Sequence, residues 1–403
     1  MALNTNFFGE RVVLMIPGPT ELHPAVQRVL STPIVAHYGP EWAPVYEEAL
    51  KLAASIFKTK NEVFMMPTPG TVALEAGVIS LLEPGEKAVA VINGFFSERL
   101  AEIGDYVGAK VVRVNAREGE AVSPESLDDV LKKNPDTKAV LAVQNETSTG
   151  VLNPVREYVK ICNERGVLFV LDAISSYGGV ELDFDGWGMD YCVGYANKCL
   201  GGIPGTVPVA ISDRAWEVVR KRKTKPASFF TNLIVWRHYI DEWKSIGHPY
   251  PTTISPHAVL CFKAAAQAAI EEGLENRYQR HLRVAAAFRK AVRSMGLETL
   301  PSESVASPTV TAIQLPAAVW KDSGKIAQTM LKKHRIMIGG GIAALHGKIL
   351  RIGHMCVTAS TRYIMPTLVA LRDSFKSVGL SLNDGVETFV SEIAGKDSSF
   401  SSP

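Results

Sequence analysis

Cysteine is scarce in this chain. Only five of the 403 residues are cysteines, and no two of them form a C-x-x-C pair. Their odd number and scattered positions argue against a disulfide framework and against a zinc site, and they fit a reducing compartment. The five are Cys162, Cys192, Cys199, Cys261 and Cys356.

Long apolar runs and an excess of one charge are also missing. No run of about 18 apolar residues could span a membrane, and Glu10 and Arg11 precede any apolar run, unlike in a signal peptide. Lys and Arg number 43 against 41 Asp and Glu, with no basic block. We therefore expect a cytoplasmic protein that binds neither a membrane nor nucleic acid.

The length of the chain predicts two domains, because one hydrophobic core seldom grows beyond about 250–300 residues. Short β-branched runs alternate with amphipathic helical stretches in the first half. This pattern predicts an α/β sheet covered by helices on both faces. The seven strand candidates are 62–66, 88–92, 110–114, 139–143, 167–171, 191–194 and 207–211.

The pattern changes after Pro226 to long helices and a few short strands, which predicts a smaller α+β domain. The polar end of the chain has too little apolar surface to fold and is expected to be disordered. The predicted division is an N-terminal segment over the active site (1–20), a large domain (21–255), a small domain (256–395) and a disordered tail (396–403).

Three features that could carry chemistry follow predicted strands. Gly70 and Thr71 open the helical stretch after the strand at 62–66, where backbone N–H groups and the helix dipole can hold a phosphate. Asp172 directly follows the apolar run VLFVL, and a carboxylate there is costly to bury unless it meets a cation. Lys198 precedes a Gly/Pro loop, where burial would lower its pKa and free its lone pair.

Each feature also has an ordinary structural explanation. Thr71 could cap the helix, Asp172 could cap the turn after its strand, and Lys198 could be a solvated loop lysine. At the carboxyl ends of strands in one sheet, however, the three favour a single site. A lysine that forms a Schiff base, a carboxylate for a pyridinium nitrogen and a helix N-terminus for a phosphate are what pyridoxal 5′-phosphate needs.

Six motifs then occur in order along nearly the whole chain: PGPTELHP (17–24), ETSTGVLNP (146–154), LDAISSYGG (171–179), NKCLGGIPG (197–205), GLENRYQRH (273–281) and LRIGHM (350–355). They resemble the fold-type I, class V aminotransferases, in particular the alanine–glyoxylate and serine–pyruvate aminotransferases. The resemblance implies a large domain with a seven-stranded, mostly parallel sheet and a small C-terminal α+β domain. It also implies ping-pong transfer of an amino group from a small amino acid, of the alanine or serine type, to a small 2-oxo acid such as glyoxylate or pyruvate.

The resemblance gives individual residues a role around the cofactor. Lys198 matches the Schiff-base lysine, which then acts as general base, and Asp172 matches the partner of the ring nitrogen. Thr147 matches the residue that hydrogen-bonds the ring hydroxyl. Phe96 takes the place of the aromatic residue that stacks on the ring, with simple core packing as its alternative. The residues that match phosphate ligands are Gly70, Thr71 and Asn197.

Three further matches concern the partner subunit and the substrate. Tyr250 and Thr253 match residues that reach the phosphate from the other subunit, which implies a homodimer with composite active sites. Arg351, in a predicted strand beside a glycine, matches the arginine that clamps the substrate carboxylate. Its alternative is a surface arginine on an edge strand.

Three other activities stay open within the same fold. Ureidoglycine–glyoxylate aminotransferases share the scaffold. Pyridoxamine–pyruvate aminotransferases have lost phosphate binding and carry an acidic residue where this chain has Pro69. A cysteine desulfurase or lyase would need a nucleophilic cysteine on a mobile loop, for which Cys356 is the candidate, against the alternative of a packed thiol.

Overall fold

The computed structural model describes residues 11–395, in which strands and helices alternate. The predicted disordered tail lies outside the described residues, as does the first half of the predicted N-terminal segment. The described strands are β1 (Val13–Met15), β2 (Glu62–Met66), β3 (Lys87–Ile92), β4 (Lys110–Asn115), β5 (Thr137–Val143), β6 (Asn145–Glu146), β7 (Val151–Leu152), β8 (Leu168–Asp172), β9 (Tyr191–Val193), β10 (Val207–Ile211), β11 (Glu298–Thr299), β12 (Val310–Gln314), β13 (Ile336–Gly340) and β14 (Ile349–Gly353).

The α-helices of the same residues fill the connections between these strands. They are α1 (Pro24–Val29), α2 (Trp42–Phe57), α3 (Gly70–Leu81), α4 (Phe95–Tyr106), α5 (Pro124–Lys133), α6 (Val155–Glu164), α7 (Phe184–Trp187), α8 (Asp213–Arg220), α9 (Leu233–Trp243), α10 (Pro256–Glu272), α11 (Leu274–Ser294), α12 (Ser323–His334), α13 (Thr361–Lys376) and α14 (Val386–Ala394).

The larger sheet has seven strands in the order β2-β10-β9-β8-β5-β3-β4. Every neighbouring pair from β9 to β4 is parallel, whereas β10 runs antiparallel to both β9 and β2. The predicted seven-stranded, mostly parallel sheet is therefore confirmed, and each predicted strand lies within about two residues of its observed position. The continuous apolar pattern of β8 fits its place in the middle of the sheet, where both faces are covered.

The register of the central strands brings their carboxyl ends together. Asp172, the last residue of β8, pairs with Val143 on one side and with Val193 on the other. The residues that follow β5, β8 and β9 consequently leave the sheet on one side, at the carboxyl ends of the strands. Ligands of open α/β sheets bind at this side.

The smaller sheet has the order β1-β13-β14-β12-β11 and is mixed. β1, from the N-terminal segment, pairs in parallel with β13, with Val13 opposite Ile336. The other strand pairs of this sheet are antiparallel. The predicted smaller α+β unit is thus present, and it also takes up the beginning of the described chain.

The helix α10 packs with the larger core, although the pattern of the sequence grouped it with the small domain. Its residues Val259, Phe262 and Ala266 are fully buried in the cluster that contains the strands of the larger sheet. Buried residues of the next helix, such as Phe288, belong instead to the core of the smaller sheet. Judged by packing, the boundary between the larger and the smaller hydrophobic core therefore lies near Gly273, between α10 and α11. The division of the chain at residue 255 stays a prediction about folding units.

Among the described helices, none combines the length and the apolar character that crossing a membrane requires.

Helix α3 packs closely on β9, near the end of the sheet where the site lies. This packing predicts that Gly77→Ala lowers the stability of the protein. A Cβ on Gly77 would lie 2.3 Å from Cε1 of Tyr191, whose ring is buried and whose hydroxyl donates to the carbonyl of Ala73 at 2.7 Å. Because the ring is held at both ends, we expect the free energy of unfolding to fall by about 1–3 kcal/mol.

Chemical unfolding measures this change. The matched control is Gly324→Ala in α12, where a Cβ meets no atom within 4 Å. The alanine there should stabilise the helix by up to about 1 kcal/mol. Equal effects of the two substitutions would contradict the tight packing of α3 on Tyr191.

Candidate active site

A cleft of about 190 Å³ lies at the carboxyl edge of the larger sheet. Six of the ten residues predicted for the site line it: Gly70, Thr71, Phe96, Thr147, Asp172 and Lys198. A second cleft, of about 290 Å³, lies against α2, β2 and α9 and is bordered by none of the ten. The smaller cleft is therefore the candidate active site, because it gathers the residues that carry chemistry.

Lys198 stands on a distorted turn, the single π-helical turn Ala196–Leu200, with φ −113° and ψ −117°. Its Nζ donates a hydrogen bond to the carbonyl of Pro17. Gly18 packs directly on the lysine side chain, since a Cβ there would lie 2.4 Å from Nζ. Burial disfavours the charged ammonium and lowers the pKa of Lys198 to about 8. The alternative of a solvated loop lysine does not fit this environment.

Asp172 ends β8 with its side chain nearly fully buried. Its Oδ1 accepts a hydrogen bond from the backbone N–H of Ile174 at 2.8 Å, so it does cap the turn that follows. Burial is the main cause that raises the pKa of this carboxyl to about 7, and the nearby charge of Glu146 raises it further. Lys198 acts in the opposite direction. The turn-capping role and a role toward the cleft are therefore compatible.

The start of α3 forms the opposite end of the cleft. The helix begins at Gly70, one residue earlier than predicted, and its N-cap is Pro69, which offers no side-chain hydrogen bond. Thr71 is consequently not the cap. The N–H groups of Gly70 and Thr71 meet no acceptor among the described residues. A Cβ on Gly70 would lie 2.4 Å from Cδ1 of Ile174, so this turn has no room for a side chain.

Phe96 is half-buried in the first turn of α4 and borders the cleft. The guanidinium carbon of Arg99 lies 5.2 Å from the centre of its ring and 4.7 Å from that of Phe95. Such distances are typical of cation–π contacts. Phe96 therefore borders the cleft with the guanidinium of Arg99 packed against its ring.

Asn197 and Asn145 each bring a buried amide with an unsatisfied oxygen to this region. The Oδ1 atoms of both are shielded from water and have no hydrogen-bond partner within residues 11–395. The amide nitrogen of Asn145 does donate, to Ser175 Oγ at 3.0 Å and to Thr309 Oγ1 at 2.9 Å. Buried polar atoms without a partner are uncommon and often mark a site that binds something.

Arg351 reaches the wall of the cleft from β14 but does not line it. It is 9% exposed, and its Nε donates to the carbonyl of Gly340 at 2.7 Å, while a terminal nitrogen donates to that of Thr147 at 3.1 Å. Across the described chain, no carboxylate lies within 4.0 Å of this guanidinium, and burial lowers its pKa. The surface-arginine alternative is wrong, because the side chain is buried and its strand lies in the interior of the smaller sheet. The charge of Glu146 acts on it from beyond salt-bridge distance.

Tyr250 and Thr253 lie away from the cleft of their own chain. Tyr250 is fully buried, and its hydroxyl accepts from Trp42 Nε1 at 2.9 Å and donates to the carbonyl of His37. Thr253 is exposed. Their role toward a second subunit stays a prediction.

The cysteines are all buried in the described chain. Cys356, the candidate nucleophile, donates a hydrogen bond from Sγ to the carbonyl of Leu200 at 3.3 Å. A packed thiol is therefore its observed state, and no cysteine stands on an exposed loop.

Sequence reasoning missed three contributors to the site: Glu146, Arg99 and the carbonyl of Pro17. Glu146 is fully buried and directly precedes Thr147, and Arg99 borders the cleft. A charged residue beside a predicted ligand was a usable signal for Glu146. No local signal marks a backbone carbonyl that meets a side chain 181 residues away.

With this geometry in place, the comparison with protein families is decisive. The family model described as "Aminotransferase class-V" matches residues 27–367. The chain belongs to the class-V aminotransferase family. A class-V aminotransferase is a transaminase, and members of this family use pyridoxal 5′-phosphate.

Several class-V aminotransferases resemble the chain over nearly its whole length. The (S)-ureidoglycine–glyoxylate transaminase of Bacillus subtilis is 30% identical, covering 93% of this chain and 92% of that protein. The alanine–glyoxylate aminotransferase of Mus musculus is 30% identical, with coverage of 90% and 87%. The crystal structure of the pyridoxamine–pyruvate aminotransferase from Mesorhizobium loti is similar with a TM-score of 0.90 at 25% identity, covering 96% of this chain and 98% of that one.

The depressed pKa of Lys198 predicts how this class-V aminotransferase reacts with amine reagents when it is free of cofactor. Only a neutral amine is acylated, and burial makes Lys198 neutral above about pH 8, whereas exposed lysines become neutral near pH ~10.4. Trace labelling with acetic anhydride across a pH series, read by peptide mass spectrometry, should give Lys198 a midpoint near 8. A midpoint near that of exposed lysines in the same digest would contradict the burial of its amine.

Proposed function

We propose that the chain is a pyridoxal 5′-phosphate-dependent aminotransferase that moves an amino group from a small amino acid, of the alanine or serine type, to a small 2-oxo acid such as glyoxylate or pyruvate. The observation that carries this proposal is the buried Lys198 amine, with a pKa of about 8, in one cleft with the buried carboxyl of Asp172. The membership of the family supports the reaction class.

The donor set of the cleft fits each part of pyridoxal 5′-phosphate. The open N–H groups at Gly70 and Thr71 suit a phosphate, because they combine free donors with the positive end of the helix dipole. A turn with no room for a side chain at Gly70 allows close approach of an anion to the backbone. Asn197 supplies a buried amide next to the lysine. These observations support the phosphorylated form of the cofactor.

When it is bound, the cofactor supplies an electron sink for the carbon next to the substrate carboxylate. The protein supplies the rest. Lys198 would hold the cofactor covalently, and once the substrate has freed the amine, its Nζ would move the proton at the substrate α-carbon, which requires an amine that is neutral near physiological pH. Asp172 would hold the proton at the pyridine nitrogen, since a cation beside it favours the carboxylate form. Thr147 would hydrogen-bond the ring hydroxyl, and Phe96 would pack against the ring.

Arg351 is proposed to bind the substrate carboxylate. The guanidinium is buried and forms no salt bridge with a carboxylate of the described chain, and the charge of Glu146 acts on it only from a greater distance. A substrate carboxylate in the cleft would supply the close ion pair through two parallel hydrogen bonds. Its contact with the carbonyl of Thr147 ties it to the wall of the cleft. The same arginine would serve both the amino acid and the oxo acid of a ping-pong reaction.

The homodimer with composite sites, in which Tyr250 and Thr253 reach the partner's phosphate, is also a proposal. Large apolar side chains are exposed near Tyr250: Ile246, at 58%, shortly precedes it in the chain, and Ile34, at 79%, shortly precedes His37, whose carbonyl Tyr250 contacts. Exposed apolar residues of this size favour a protein interface. This supports association of two copies.

Two of the alternative activities have less support from the site. The open N–H groups at α3 favour a phosphorylated cofactor over free pyridoxamine. The buried cysteines, including Cys356, do not favour a desulfurase. Ureidoglycine as amino donor is separated from alanine and serine only by measurement, because relatives of both kinds are about equally similar.

Two measurements test the proposed function. Borohydride reduction in the presence of pyridoxal 5′-phosphate should fix the cofactor on the wild-type protein and not on Lys198→Ala, because the amine that holds it is then missing. Steady-state kinetics with a panel of amino donors against glyoxylate, pyruvate and 2-oxoglutarate should show ping-pong behaviour with small substrates preferred. Covalent fixation on Lys198→Ala, or a preference for 2-oxoglutarate, would contradict the proposal.

Arg351→Ala should lower kcat/KM for the amino donor and the oxo acid alike. Loss of a charge-assisted pair in a closed site costs about 2–5 kcal/mol, or roughly 30- to 4000-fold. Arg351→Lys should recover only part of this, since an ammonium lacks the planar fork. Amines without a carboxylate are the control, because their slow reaction should not respond to the substitution. A change of less than about threefold for all acids would exclude the clamp.

A further inference from the structure

Two helices begin at the cleft, and their first turns differ. The first N–H groups of α3 are open, as described above. The first three N–H groups of α4, those of Phe95, Phe96 and Ser97, all donate to side chains of the segment that follows β5. Of these two potential anion sites at the cleft, only the one at α3 is therefore available to a ligand.

Glu146 is the residue that fills the start of α4. It is fully buried, and its Oε2 accepts from the N–H of Ser97 at 2.8 Å while its Oε1 accepts from that of Phe96 at 3.4 Å. Ser148 completes the arrangement: its Oγ donates to Oε1 of Glu146 at 2.5 Å and accepts from the N–H of Phe95 at 2.9 Å. Both oxygens of the buried carboxylate are thus engaged.

The first turn of α4 supplies hydrogen-bond donors to this buried charge, and Arg351 acts on it from beyond salt-bridge distance. Within residues 11–395, no Lys, Arg or His nitrogen lies within 4.0 Å of the Glu146 carboxylate. A buried carboxylate without a cation is costly, and N–H groups at the positive end of a helix dipole reduce that cost. Ordinary salt-bridge formation therefore does not explain why an acidic residue stands here.

The approach of the two segments depends on Gly94. A Cβ at this position would lie 2.4 Å from Ser148 Oγ and 2.5 Å from both Cγ and Cδ of Glu146. Its φ of 172° is extended backbone that any residue adopts, so the contact, and not the conformation, requires glycine. The loop before α4 is consequently seated on the Glu146 side chain.

We propose that Glu146 is a positioning residue for the cofactor: by occupying the N-terminus of α4 it fixes Phe96 as the wall for the ring and leaves the N-terminus of α3 as the phosphate site. This inference rests on the proposed function. Its carboxylate acts through Phe96 and does not line the cleft. Glu146 also directly precedes Thr147, which lines the cleft. The contact of its side chain with α4 therefore sets the distance between the wall at Thr147 and the wall at Phe96.

The test measures the affinity of the cofactor-free protein for pyridoxamine 5′-phosphate, which binds without a covalent bond to Lys198. Equilibrium dialysis gives the dissociation constant, and calorimetry gives Tm. Glu146→Gln keeps the size of the side chain but replaces an acceptor oxygen with a donor that faces N–H groups. Loss of hydrogen bonds to a charged group should weaken binding by about tenfold.

The matched control is Glu98→Gln. It removes a carboxylate charge from the first turn of α4, the turn that Glu146 contacts, but Glu98 pairs with Arg113 at the surface, at 2.8 Å, and does not border the cleft. Its dissociation constant should stay within about twofold of the wild-type value, as expected for an exposed ion pair. Equal affinities of Glu98→Gln and Glu146→Gln would overturn the inference, whatever the difference in Tm.

A double-mutant cycle with Phe96→Leu separates positioning from a general structural role. If Glu146 acts through the ring wall, Glu146→Gln should add less than about threefold to the loss caused by Phe96→Leu, whereas an independent effect would add its full factor of about tenfold. Multiplying effects would overturn the inference. Should Glu146→Gln not fold, Ser148→Ala is the second variant; it removes the hydrogen bonds of Ser148 Oγ to the N–H of Phe95 and to Oε1 of Glu146 but leaves the carboxylate on the N–H groups of Phe96 and Ser97. It should show a smaller loss and the same lack of additivity.

Failure of this inference can be told apart from failure of the proposed function. A wild-type protein that binds no pyridoxamine 5′-phosphate, and that borohydride does not link to pyridoxal 5′-phosphate, contradicts both. A wild-type protein that passes both measurements, with a Glu146→Gln variant that behaves like Glu98→Gln, contradicts only the role of Glu146.

Discussion

The removal of water from the Lys198 amine is the condition on which the rest of the site depends. Pro17 takes its hydrogen bond and Gly18 packs along its stem, so the ammonium loses solvation and its pKa falls to about 8. The same burial raises the pKa of Asp172 to about 7. Burial thus brings the pKa of the amine toward neutrality, as a group that moves a proton requires, whereas a cation beside Asp172 restores its carboxylate form.

The carboxyl edge of a parallel sheet delivers helix N-termini as well as side chains, and each is a potential anion site. A cleft with two such sites would not by itself distinguish one end of a phosphorylated ligand from the other. The chain meets this difficulty with its own anion. Glu146 closes the start of α4 through two backbone N–H groups, whereas the proline cap of α3 has no side-chain acceptor for the N–H groups of Gly70 and Thr71. The two ends of the cleft thus differ because the first N–H groups of α4 already have acceptors within the protein, whereas those of α3 do not.

What the sequence predicts well is what local pattern determines. The apolar run before Asp172 specifies a central strand, so the place of this carboxylate at the sheet edge follows from a period that spans a few residues. The partners of Glu146 and Tyr250 do not follow in this way. Glu146 bonds N–H groups about 50 residues away, and the hydroxyl of Tyr250 bonds a carbonyl 213 residues away. The packing of α10 could not be predicted either, because the apolar face of a helix does not indicate which of two cores it will pack against.

The smaller sheet enters the chemistry through the two residues that follow β1. The chain leaves that sheet at Met15, and the next residues touch β14 on one side, where a Cβ on Gly353 would lie 2.1 Å from the carbonyl of Ile16, and Lys198 on the other, through the carbonyl of Pro17. Arg351 stands in β14 itself. The partner of the lysine amine and the proposed clamp for the substrate carboxylate are therefore carried by one sheet.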